Sequence, residues 1–191
     1  MKCNKCLGVL IFVPLIINAQ ELEPNGNFDS DITGWHCGSV APTWINNDGA
    51  NLSGAGSLQH TVTAINANSG SLGGGYCNFS SATAGKNYIF KGSYKLLSAD
   101  EVENLVLQVF FYTQNENYID VFTDIIPVST ITLNQWTSFT VTASAPANTG
   151  NIISHVNYEF TTTGNPINWV IRWDDMSLKQ EKSVIFMNGF E

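Results

Sequence analysis

The chain has 191 residues, 8 basic against 16 acidic side chains, and a formal net charge of −8, with 43% hydrophobic and 12% aromatic residues. Phosphate binding relies on clustered lysine and arginine, so this balance excludes nucleic acid, and anionic membrane surfaces with it. The length suits one domain with a two-layer core.

The first element is a leader. Lys2 and Lys5 precede an apolar run over residues 6–17, and a small residue follows at Ala19, the layout of a secretory signal peptide over residues 1–19. The run falls short of the roughly 20 residues that span a bilayer and contains Pro14, so no membrane insertion is expected. Cys3 and Cys6 precede the run instead of ending it, which argues against a lipoprotein. The chain is therefore expected to be secreted, into the periplasm or the extracellular space. Without Lys2 and Lys5, six basic residues face 16 acidic ones, a net charge near −10. The remaining cysteines, Cys37 and Cys77, form an even pair in an oxidising compartment, which reads as a disulfide or else as two buried thiols.

From residue 20 onward no stretch keeps a helical period, and residues 98–104 allow at most one or two helical turns. Val, Ile, Thr, Phe and Tyr dominate short runs broken by Gly, Asn, Ser and Pro, as an antiparallel sandwich requires. Strands are predicted over residues 44–46, 57–64, 75–79, 88–97, 105–113, 118–126, 137–143, 153–161 and 169–179, and the Gly- and Ser-rich stretch 66–75 is predicted to be a loop. The fold class is thus all-β, a two-sheet antiparallel β-sandwich over residues 20–179, followed by a tail over 180–191.

Alternation separates the faces of these strands. Tyr88, Phe90, Gly92 and Tyr94 share one side, with Ile89, Lys91, Ser93 and Lys95 opposite. Leu105, Leu107, Val109 and Phe111 make a core face, yet the opposite face still carries Val106, Gln108, Phe110 and Tyr112. Val156, Tyr158 and Phe160 point inward, and His155, Asn157 and Glu159 outward. In the last run Trp169, Ile171 and Trp173 are odd-numbered but Met176 and Leu178 even-numbered, so one core can hold both sets only if a β-bulge at Asp174 and Asp175 shifts the register.

The two ends of this domain form a matching pair. Asn25-Gly26-Asn27-Phe28-Asp29 leads to Gly34-Trp35, and Trp173-Asp174-Asp175-Met176-Ser177-Leu178 closes the last strand. This bracket resembles the secreted carbohydrate-binding modules of the CenC type, families four, nine and twenty-two, with a galactose-binding-like jelly roll. The resemblance covers residues 22–179 and implies a domain that holds a polysaccharide or oligosaccharide and does not cut it. It also implies a structural calcium ion at the positions of Asn27, Asp29, Asp48 and Asp175, although Asp29 and Asp48 also suit simple turns.

Sugar binding needs flat apolar faces beside groups that exchange hydrogen bonds with hydroxyls. Phe110 and Tyr112 with Gln108 supply that mixture, and Lys91, Ser93, Asn157, Glu159 and Arg172 extend the same face if the strands are neighbours. A bulky aromatic often stands in the related modules where this chain has Ser93. No catalytic residue is assigned: Asp174 and Asp175 are adjacent and make no cleft-spanning dyad, no Gly-x-Ser-x-Gly elbow is present, and three scattered histidines do not form a zinc site. A monomeric, non-enzymatic sugar binder is the expectation. The rival is a cell-surface interaction or scaffold domain of the same fold without sugar binding. Asn51 and Asn78 open Asn-x-Ser sequons that a eukaryotic secretory route would glycosylate. The ending Ile185-Phe186-Met187-Asn188-Gly189-Phe190-Glu191 resembles short endings of some exported bacterial proteins.

Overall fold

The computed structural model describes residues 19–46, 48–50, 55–65, 70–160 and 167–182. The leader up to residue 18, the Asn51 sequon and the ending 185–191 lie outside the described residues. Eleven strands follow in order: β1 Cys37–Gly38, β2 Pro42–Ile45, β3 Ser57–Ile65, β4 Gly70–Gly75, β5 Ser80–Ser81, β6 Asn87–Ala99, β7 Val102–Tyr112, β8 Tyr118–Pro127, β9 Thr137–Ser144, β10 Asn151–Phe160 and β11 Ile167–Gln180. They form two antiparallel sheets, a jelly-roll sandwich. Sheet I has the order β1-β4-β10-β7-β8 with β5 also on β10, and sheet II the order β2-β3-β11-β6-β9. Among the described residues no helix is long and apolar enough to cross a membrane.

Side chains of period two fill the space between the sheets. Leu105, Leu107, Val109 and Phe111 of β7 and Ile152, Val156, Tyr158 and Phe160 of β10 pack against Tyr88, Phe90, Tyr94 and Leu96 of β6 and Trp169, Ile171 and Trp173 of β11. The bulge expected in β11 is present. The register shifts between Asp174 and Ser177, and Asp175 takes a φ of 52°. As a result Trp173, Met176 and Leu178 are all buried despite their opposite parity.

Three expectations are corrected. Residues 70–75 are not loop: β4 pairs with β10 from His155↔Gly75 to Phe160↔Gly70. A Cβ on Gly73 or Gly75 would collide with Asn157 or His155 and with the backbone of β10, so glycine is what lets the strands approach. Residues 98–104 hold no helical turn, because a tight turn at Asp100 and Glu101, the latter at φ 62°, joins β6 to β7. Those two strands do not pair: β6 lies between β11 and β9 in sheet II, and β7 between β10 and β8 in sheet I.

The chain ends meet on β11. Strand β3 accompanies β11 only as far as Trp173, and residues 21–26 take over the remaining length. Glu21 bridges Lys179, Leu22 N–H donates to Leu178 O at 2.9 Å, and Met176 N–H donates to Gly26 O at 2.8 Å. From this segment the Glu23 side chain, fully buried, reaches β10, where Ser154 N–H donates to Oε1 at 2.7 Å and the Ser154 hydroxyl meets Oε2. Burial pushes the Glu23 carboxyl up to about 8, with the Glu21 charge adding to it against the Ser154 bonds. A second buried polar chain crosses the core. Trp173 Nε1–H donates to the Tyr158 hydroxyl at 2.8 Å, which shares a second hydrogen bond of 2.6 Å with His60 Nδ1. Burial lowers the His60 pKa to about 4 and keeps its ring neutral.

Candidate functional site

The predicted sugar-binding residues divide between the two sheets. Gln108, Phe110 and Tyr112 lie on β7, and Asn157 and Glu159 on the neighbouring β10, all on the outer face of sheet I. Lys91 and Ser93 on β6 and Arg172 on β11 lie on the outer face of sheet II, on the other side of the sandwich. They cannot extend the first face, because opposed sheets of a sandwich stand about 10 Å apart with the core between them. The physical reason is the crossover at Asp100 and Glu101, which sends the chain to the other sheet where a hairpin would have kept it beside β6. Ser93 is buried against Ser138, and it therefore says nothing about aromatic stacking on sheet I.

The sheet I face is a strip of changing character. At one end Tyr112 is paired with Asn151 and packs against Phe79 at 4.7 Å and Tyr118 at 6.0 Å between ring centroids. Tyr118 is 57% exposed and Phe79 39%. Phe110, half-buried, meets the His155 ring at 5.3 Å. Burial holds the His155 pKa below its ordinary value, so the ring is a neutral partner. In the middle Asn157 Nδ2–H donates to Gln108 Oε1, and Gln108 Nε2–H donates to Thr123 Oγ1 at 3.4 Å. At the far end Glu159 faces Asn104, whose Nδ2–H donates to Glu159 Oε2 at 3.1 Å. From the Tyr112 row to the Glu159 row is eight residues of strand, about 27 Å at ~3.4 Å per residue. Along one flank Gly73 and Gly75 add no side chains, and Asn157 and His155 lie over their bare backbone. Phe110 and Tyr112 are partly exposed at the surface and partly packed against the core, neither fully covered.

Phe79, Tyr118 and His155 belong to this strip and were not picked out from the sequence. Phe79 lies just before β5 and Tyr118 across the β7–β8 turn, so neither shares an alternation pattern with Tyr112. For His155 the signal was present, since it alternates with Asn157 and Glu159.

The disulfide joins Cys37 of β1 to Cys77, just beyond β4, with Cα atoms 5.1 Å apart. It fixes the glycine-lined edge of sheet I. Among the described residues the one trio of His, Cys, Asp or Glu donors within reach of a single ion is His36, Cys37 and Cys77, and its two sulfurs are consumed in this bridge.

On sheet II the four residues expected at a cation are not gathered as a set. The Asp48 carboxylate is taken by Lys95, at 2.8 and 3.0 Å, and by Arg172. Arg172 Nε–H donates to Gln59 Oε1 at 2.8 Å. Asp174 occupies the place beside the 48–50 turn instead, where Ala50 N–H donates to its Oδ2 at 2.6 Å. Burial pushes the Asp174 carboxyl up to about 6, and the Asp175 and Asp29 charges push the same way. Asp175 is raised as well, by burial and by Asp29, with Lys91 opposing. Asn27 donates to Asp29 at the edge of this group. The charges of Asp29 and Asp175 thus act on Asp174 at the bulge without the three acids converging on one point, while Asp48 is already neutralised. A cleft of about 550 Å³ opens nearby, between Glu21, Asn25 and Asn27 on one side and Lys91, Ser93, Ser138 and Thr140 on the other. Asp48→Asn is expected to cost about 1–2 kcal/mol of stability by leaving Lys95 and Arg172 less well paired. Denaturant titration measures that loss, and binding on sheet I should not change.

No protein-family model and no curated protein sequence matches this chain. Solved structures match its fold. Carbohydrate-binding modules of the β-sandwich superfamily with promiscuous specificity align over 84% of this chain and 61% of theirs, at 12% identity and a TM-score of 0.59. A family 61 carbohydrate-binding module in complex with β-1,4-galactotriose aligns over 85% of this chain and 100% of its own, at 13% identity and a TM-score of 0.55. The family 22 and glycoside hydrolase modules of a Clostridium thermocellum endo-1,4-β-D-xylanase, complexed with xylohexaose, align over 82% of this chain but 28% of theirs, at 17% identity and a TM-score of 0.55. The chain therefore spans less than two thirds of two of these three structures. What it shares with them is the galactose-binding-like jelly roll.

Proposed function

We propose that this protein is an exported, monomeric, non-catalytic carbohydrate-binding module that lays a polysaccharide or oligosaccharide along the outer face of sheet I. One observation carries the proposal: Phe79, Phe110, Tyr112 and Tyr118 gather at one end of an open strip that continues into the amides of Gln108 and Asn157. Apolar ring faces suit the C–H faces of pyranose rings, and amides exchange hydrogen bonds with hydroxyls. Glu159, bonded to Asn104, acts as a hydroxyl acceptor here and not as an acid or base. The folds it resembles, several of them carbohydrate-binding modules, support the same function at a coarse level.

Calcium is proposed as a structural ion on the opposite sheet, near Asn27, Asp29, Asp174 and Asp175, where the Asp29 charge raises both Asp174 and Asp175 and the set offers hard oxygen ligands, although the three acids do not converge within reach of a single ion in this arrangement. Such an ion would neutralise their mutual repulsion and tie residues 27–29 to the β11 bulge. Asp48, expected as a ligand, fits less well because Lys95 and Arg172 already hold it.

Affinity electrophoresis against β-glucans, xylans, mannans and galactans, run with and without a chelator, tests both. Retardation by at least one neutral glycan is expected, and a midpoint of thermal unfolding a few degrees lower in chelator. Migration unaffected by every polymer would remove the sugar-binding function and favour a scaffold domain.

A further inference from the structure

We propose that the sheet I face selects glycans bearing free ammonium groups, amino-sugar polymers, and turns away polymers of acidic sugars. The proposal rests on that face being the glycan site. It follows from how charge is divided between the sheets. Beyond the leader every lysine and arginine, Lys86, Lys91, Lys95, Arg172, Lys179 and Lys182, lies on β6 or β11 or within two residues of their ends. Both strands belong to sheet II. The strands of sheet I carry Glu103, Asp120, Asp124 and Glu159 and no lysine or arginine.

Glu159 is the carboxylate that this division places on the strip itself. Its partners across the sheet are Ser71 on β4 and Asn104 on β7, both uncharged. The ion pairs that involve described lysines and arginines go to Asp48 and Glu21, on the far side of the sandwich. His155 is the one basic side chain on the strip, and its burial favours the neutral ring. A ligand on this face therefore meets aromatic rings at one end and a negative charge at the other, with no lysine or arginine between. A sugar carboxylate would be desolvated there without a counter-charge, whereas a sugar ammonium group finds one in Glu159. The net charge of the whole chain acts in the same direction at longer range. The aromatic end makes the face a site; the carboxylate end decides which glycan fills it.

Isothermal titration of the full exported chain, at about pH 5.5 where sugar amines hold their proton, tests this with three probes of matched length: glucosamine oligomers, their N-acetylated counterparts and galacturonate oligomers. The amine form should bind roughly five- to tenfold more tightly than the N-acetylated form, and the galacturonate should not bind. The gap should close in Glu159→Gln, whose affinity for the amine form falls further than its affinity for the N-acetylated probe, and should shrink in about 0.5 M salt. Equal affinities for amine and N-acetylated probes, or a gap that survives Glu159→Gln, would overturn the proposal. If none of the three binds while neutral glucans or xylans do, charge selection fails and the face stands. If no glycan of any charge binds, the face itself falls, and the selection with it.

Discussion

Replacing Phe110 and Tyr112 together by alanine should weaken glycan binding by roughly 30- to 150-fold, which is about 1–1.5 kcal/mol for each ring. Both rings are only partly buried against the core, so a cooperative unfolding transition should remain, lowered by a few degrees at most. Tyr112 is the more sensitive of the two, because its removal also strands Phe79 and Tyr118, which pack on either side of it. Lys91→Ala, on the other sheet, should leave affinity unchanged. Titration calorimetry of both variants decides the matter: a double variant that binds as tightly as the parent would place the sugar elsewhere.

The second large effect concerns Glu23. In the folded protein its carboxyl is held at about 8 against an ordinary value of 4.5, so the folded state binds a proton that the unfolded chain releases. A raised acid contributes its stability in full below the unfolded value and loses it as the pH rises through the folded one. Stability should therefore fall with rising pH, at up to about 1.4 kcal/mol per pH unit, until the carboxyl ionises near pH 8. The cleanest window is pH 6.5 to 8. Below it Asp174, raised to about 6, adds a loss of its own, and His60, lowered to about 4, adds an opposing gain that is largely spent by pH 6.5 and leaves about 0.4 kcal/mol inside the window. Across the window the parent should lose on the order of 2 kcal/mol, and Glu23→Gln, which can still meet Ser154 through both of its terminal atoms, should lose far less. Urea denaturation at several pH values reads the slope directly. Parallel slopes for parent and variant would show that Glu23 is not the group that titrates.

Much of the architecture was legible because strands write their faces into the sequence with period two. The inward sets of β6, β7 and β10 and the parity change in β11 all follow from alternation, and the buried Trp173, Met176 and Leu178 confirm the bulge. What alternation does not record is which sheet a strand joins. The turn at Asp100 and Glu101 is as short as a hairpin turn, the usual sign of paired neighbours, yet β6 and β7 part company there. That single crossover separated Lys91, Ser93 and Arg172 from Gln108, Phe110, Tyr112, Asn157 and Glu159. Glycine misled in a different way. Residues 70–75 have the composition of a loop, but their lack of side chains is what brings β4 close to β10. The aromatic cluster was half legible, since Tyr112 lies in a patterned strand while Phe79 comes from the turn before β5 and Tyr118 faces Tyr112 only through the β7–β8 pairing.

Glu21 and Lys179 bridge as antiparallel neighbours, with Leu22 bonded to Leu178 beside them. The polypeptide consequently enters and leaves the sandwich side by side at the same end. Tension applied through both ends would load these links one after another, like a zipper, instead of shearing them all at once. The Glu23 anchor on β10 is the next point such a pull would reach, so resistance to force should rest on one protonated carboxyl, and a mildly alkaline medium should make the domain easier to tear open.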